Sequence, residues 1–101
     1  MPKIYKDVAG AEEFIVCRVS EGNILLMCEW LRLNKATVSP KAHPYPGQFW
    51  EGFIRGATQT IGRLPLRLIF DMHLNFKGVY QERSFNSRFK FLREWNDEGR
   101  P

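Results

Sequence analysis

Catalytic side chains are scarce in this sequence. It holds two cysteines and two histidines among 101 residues. Cys17 and Cys28 form no CxxC pair, and each lies inside an apolar run, Phe14–Val19 or Ile24–Leu33. Both read as reduced, buried thiols that pack as small hydrophobes. A nucleophilic cysteine needs an activating base, and no signature sets His43 or His73 beside either thiol. A zinc site would have to gather Cys17, Cys28, His43 and His73 from four separate segments, without the short local spacing of structural zinc ligands. Carboxylates are sparse where they would matter: between Gly52 and Arg93 the acids are Asp71 and Glu82 alone. A metal-dependent nuclease needs a tighter cluster to hold its ions. Glu12-Glu13 and Asp97-Glu98 read as solvated charge, and Gly52, Gly56 and Gly62 match neither a phosphate loop nor a dinucleotide fingerprint. The reading is a protein that is not an enzyme, with no metal and no cofactor.

Long apolar runs are missing too. None approaches the ~18 residues that would span a bilayer, so no membrane association is expected. The opening Met-Pro-Lys-Ile-Tyr-Lys-Asp lacks the apolar stretch of a secretory signal. A cytoplasmic location is the default expectation. There is no internal repeat and no low-complexity stretch.

Apolar and aromatic residues are plentiful, at 44% and 14%. That is too hydrophobic for a disordered chain, and the length suits one domain over residues 1–101. Eight Phe, three Trp and three Tyr can build a core from a few large pieces, since each aromatic buries about 150–250 Å².

Residues 1–13 read as a short lead-in. Phe14–Val19 is β-branched and reads as a strand, followed by turn chemistry at Ser20-Glu21-Gly22-Asn23. Ile24–Leu33 is Leu- and Met-rich and favours a buried helix capped by Asn23 or Ser20; a hairpin strand remains open, because short apolar runs are ambiguous. Pro40, Pro44 and Pro46 stiffen a loop over 39–47 that joins two halves. Gln48–Ile61 carries Phe49, Trp50, Phe53, Ile54, Ala57 and Ile61 on one helical stripe. Even-numbered positions from Leu64 to Phe76 are all apolar, which predicts a half-buried strand over about 66–76. Lys77-Gly78 then suits a tight turn, with Val79–Phe85 returning as an antiparallel partner. Arg88–Trp95 fits a third strand, or a helix capped by Asn86. Residues 96–101 should fray. Tyr45-Pro46 and Leu64-Pro65 are junction prolines at which plain turn geometry is the default, and a cis bond is open. The fold class expected is α+β, with one or two helices packed on a C-terminal antiparallel sheet or hairpin.

Charge is unevenly spread. The chain is +4 overall, yet residues 52–93 hold eight bases against two acids, which leaves −2 elsewhere. The bases are Arg55, Arg63, Arg67, Lys77, Arg83, Arg88, Lys90 and Arg93. Together with His73 they form the candidate binding set. On a half-buried strand Arg67, Asp71, His73 and Asn75 would face outward, and a neighbouring strand would add Arg83. Arginine forks suit phosphate or carboxylate, and arginine among aromatics also suits a protein interface. The first expectation is a small basic protein that binds and modulates or inhibits another protein, plausibly a nucleic-acid-processing enzyme, in the manner of phage or mobile-element accessory proteins. The alternative is direct, largely sequence-nonspecific nucleic-acid binding through the basic segment. No helix-turn-helix, RNP or zinc-finger signature supports sequence-specific reading.

Overall fold

Alternating apolar residues near both ends of the chain meet in one sheet. The computed structural model describes residues 1–39 and 43–96. Its strands are β1 (Lys3–Asp7), β2 (Glu13–Val19), β3 (Leu66–Phe70), β4 (Phe76–Gln81) and β5 (Phe89–Glu94). Its helices are α1 (Ile24–Leu33), α2 (Gly47–Thr60) and α3 (Glu82–Arg88). The strands lie in the order β4-β3-β2-β1-β5, and every neighbouring pair is antiparallel. The class is α+β. Positions 40–42 of the proline-rich joint and positions 97–101 of the tail expected to fray lie outside the described residues.

The period of two in each strand sorts side chains between two faces. Ile4, Ile15, Cys17, Leu68 and Phe70 point toward α1 and α2. Trp50 of α2 is fully buried there and meets the rings of Phe70 at 5.6 Å and Phe53 at 5.6 Å. The helical stripe read from the sequence is therefore the face that seals this core. Val16 and Ile69 point the other way, where Phe85 and Phe89 cover them. α3 has seven residues, well short of the ~12–15 at which an isolated helix becomes even marginal in water. Burial of Phe85, on the order of 1.5–3 kcal/mol, holds it to the sheet.

Several expectations are corrected by this arrangement. Residues 1–13 are not a lead-in: β1 lies inside the sheet, bonded on one side to β2 and on the other to β5. The long strand over 66–76 stops at Phe70, because Asp71 builds a loop. Asp71 Oδ1 accepts the backbone N–H of His73 at 2.8 Å and of Asn75 at 2.9 Å, and Leu74 takes φ +64°. The even-numbered apolar series runs straight through this turn, since Leu74 is buried as a loop residue and Met72 is exposed. β3 is not half-buried either; all five of its residues are buried, because α3 covers its second face. Lys77-Gly78 is no turn but lies within β4, and α3 occupies part of the expected return strand. Within Arg88–Trp95 the strand reading holds for β5, Phe89–Glu94, with Arg88 closing α3, and Ile24–Leu33 resolves as a helix.

That helix is not buried all round: Met27, Cys28, Trp30 and Leu31 pack inward, while Leu25, Leu26 and Leu33 stand in solvent. Asn23 occupies its N-cap position without capping it. Its side chain instead accepts from the Ser20 amide at 2.8 Å and donates to the Arg18 carbonyl at 3.1 Å. At the far end the Ala36 amide donates to Leu31 O and the Lys35 amide to Arg32 O, a two-bond helix stop with Lys35 at φ +60°. The Leu64-Pro65 bond is cis.

Candidate functional site

Folding disperses the basic segment. Arg55 on α2 pairs with Glu51 one turn earlier at 3.1 Å. Arg88, at the end of α3, pairs with Asp7 at 3.3 Å, and Arg93 on β5 pairs with Glu13 at 2.7 Å. Lys77 on β4 lies 3.9 Å from Asp71, and Arg67 is bonded to Glu82. Three of these five carboxylates, Glu51, Asp7 and Glu13, come from outside residues 52–93, so sequence-local charge overstated the local field. Arg63, Arg83 and Lys90 have no ion-pair partner among the described residues. His73 is exposed in the Asp71 loop, with its backbone tied to Asp71. The nine residues do not form one surface: Lys90 and Arg93 lie on the α1 side of β5, while Arg67 and Arg88 lie on the α3 side.

Arg67 does not face solvent. It is 9% exposed. Its guanidinium lies 4.4 Å from the Phe85 ring centroid and donates to Tyr5 Oη at 3.1 Å. Glu82 takes its charge and also lies 3.5 Å from Arg18 Nε. Arg67 Nε is buried without an acceptor.

Beside this pair the second sheet face is left open, because α3 is too short to cover it. A cavity of about 180 Å³ is lined there by Lys3, Tyr5, Arg18, Asn23 and Arg67. Phe91, 52% exposed, stands at its side with its ring 5.8 Å from Tyr5 and under the Lys3 ammonium at 5.6 Å. Of this group only Arg67 was singled out from sequence. Lys3 and Tyr5 fell in the supposed lead-in. Arg18 breaks the apolar run of β2, which was the one available signal.

The opposite side carries a different surface. Leu25, Leu26 and Leu33 of α1 are 66%, 61% and 62% exposed. At 100° per residue they share one arc of the helix with Glu29. Arg32 bonds Glu29 along this arc, and that hydrogen bond holds the Glu29 carboxyl below its ordinary range. Trp30, on the inward side of the helix, is buried and meets Trp95 edge-on at 5.0 Å.

Both thiols are buried, and burial pushes each pKa upward. Neither is poised as a nucleophile. No group of three or more potential metal ligands occurs among the described residues, and no described helix is long and apolar enough to cross a membrane. The fold and these surfaces define a small α+β domain with one leucine-lined helix face and one basic, aromatic sheet face. Comparison with family models, curated proteins and solved structures finds no match for this chain.

Proposed function

We propose that this is a non-catalytic binding protein that attaches to another protein and modulates or inhibits it, with the outer arc of α1 as the contact. The observation that carries the reading is the set of three leucines, each about two-thirds exposed on one helix face. Single exposed leucines are ordinary, but three on one helix face leave apolar surface of the kind that marks an interaction site. Glu29, between Leu25 and Leu33 on the same arc, and its partner Arg32 add a charged pair within it. The likeness in role to phage or mobile-element accessory proteins, and a nucleic-acid-processing enzyme as the partner, belong to this proposal and rest on size and composition.

Direct, sequence-nonspecific nucleic-acid binding through residues 52–93 has less support. Five of the eight bases there have carboxylate partners, and the rest are not gathered on one face. Phosphate neutralisation by free bases drives such binding, and paired bases must first be released.

The test is chemical cross-linking and capture from cell lysate with the native protein and with a Leu25→Gln/Leu26→Gln/Leu33→Gln variant. Leucine and glutamine have similar helix propensities, so the variant should keep its far-UV circular dichroism and thermal midpoint. The expected result is a discrete partner captured by the native protein and lost with the variant. Equal capture by both, or none by either, would overturn the proposal.

A further inference from the structure

We propose that the cavity on the second sheet face is an anion site for a phosphate monoester whose attached aromatic ring lies on Phe91, a 5′-nucleotide being the simplest such ligand. The inference is independent of the α1 contact, which lies on the other side of the sheet.

Size sets the first limit. At about 180 Å³, the cavity is below the ~300–1,000 Å³ of pockets that engulf whole ligands. It has room for a single charged head group, with the remainder of the ligand outside. Charge sets the second. Lys3, Arg18 and Arg67 reach the cavity wall, and the carboxylates paired with them are Glu82 and Glu94. Three cations against two anions leave an excess positive charge at the wall.

The cations also differ in how they are held. Arg67 is buried and held in place by Tyr5, Phe85 and its ion pair with Glu82. That is a preorganised group, and a fixed guanidinium fork suits phosphate oxygens. Arg18 and Lys3 are half-exposed and loosely paired, at 3.5 Å to Glu82 and 3.9 Å to Glu94. An entering dianion outcompetes such contacts, and both side chains can turn from their carboxylates onto it. Phe91 supplies the aromatic preference. Its ring is about half exposed next to the cavity mouth, and aromatic platforms stack nucleobases.

The test is an NMR titration of the full chain with thymidine 5′-monophosphate, inorganic phosphate and thymidine. Thymidine 5′-monophosphate should give saturable shifts at the Lys3, Arg18 and Arg67 amides and at the Phe91 ring, with Kd on the order of 1 mM or tighter. Inorganic phosphate should move the arginine signals and leave Phe91 in place, and thymidine alone should move neither. Arg18→Glu, at an exposed position that leaves the fold intact, should weaken the monophosphate about tenfold. Glu82→Gln should tighten it by removing the competing carboxylate. The proposal is overturned if the monophosphate leaves these signals unmoved, if its shifts scatter over exposed lysines elsewhere, or if Arg18→Glu titrates like the native protein.

Discussion

Phe85→Ala is the most demanding test of how the second face is held. Phe85 is fully buried. Its ring stacks on Phe89 at 5.0 Å and 16°, meets Tyr5 edge-on at 4.7 Å, and lies under the Arg67 guanidinium at 4.4 Å. Truncating a core phenylalanine costs about 3–5 kcal/mol in transfer and cavity terms together. Here the cation above the ring also loses its π partner, which adds roughly 0.5–2 kcal/mol. Together they come to about 3.5–7 kcal/mol. Domains of this length hold about 5–15 kcal/mol in total, so the variant should stay folded only marginally. In thermal unfolding followed by circular dichroism the midpoint should fall by at least about 15 °C. Phe85→Leu keeps most of the volume and should cost about 1–2 kcal/mol. Amide hydrogen exchange provides the spatial control: α3 amides should lose protection in the alanine variant well before those of β2 and β3. A loss under about 1.5 kcal/mol, or α3 amides as protected as in the native protein, would refute the view that this one ring clamps the helix and buries the arginine.

Three further outcomes follow from local geometry. Lys35 sits at φ +60° in the helix stop, so Lys35→Gly should raise stability by about 0.5–1 kcal/mol, read as a higher urea midpoint; an unchanged or lower midpoint would contradict the strain argument. Burial tends to raise the Asp71 carboxyl pKa, but the Asn75 amide and side chain and the His73 amide outweigh it, and the folded value lies below the ordinary 3.8; the Ala9 amide, with help from Arg88, does the same for Asp7. The stabilisation is therefore complete above 3.8 and is lost as pH falls through the lower folded values, so the urea midpoint should drop on acidification below about pH 4, and less so in Asp71→Asn. Cys17 is fully buried and Cys28 is 3% exposed, so native protein should react with a thiol reagent only as fast as it opens, with Cys17 the slower; prompt stoichiometric labelling would mean that the core is not closed as described.

The parts of the fold that sequence made legible are those with long periodic signals. The α2 stripe and the β-branched β2 segment emerged at nearly their observed limits, because burial on one side imposes a period that few alternatives share. The Asp71 loop was hidden for a physical reason. A single carboxylate can turn the chain by accepting two backbone amides, and nothing in the apolar alternation records that event. β1 was missed because its five residues, Lys-Ile-Tyr-Lys-Asp, place only Ile4 in the main core, and only its position between β2 and β5 makes it a strand. The basic segment was legible as composition and misleading as a surface, since carboxylates distant in sequence neutralise it. Lys3, Arg18, Tyr5 and Phe91 come together only through strand order.

That strand order also has a consequence for synthesis. β1 forms ladders on both sides, and the second waits for Phe89–Glu94. The ribosome must add about 80 residues after Asp7 before that partner exists, a delay of roughly 4–16 s at about 5–20 residues per second. During that interval the nascent β1–β2 hairpin presents a bare row of amides and carbonyls. Its lysines, Lys3 and Lys6, are the residue type that discourages neighbouring chains from adding to such a row. The last of these strands to emerge thus acts as a latch, and a ribosome stalled before it has added Phe89 would leave a nascent chain unable to complete its sheet.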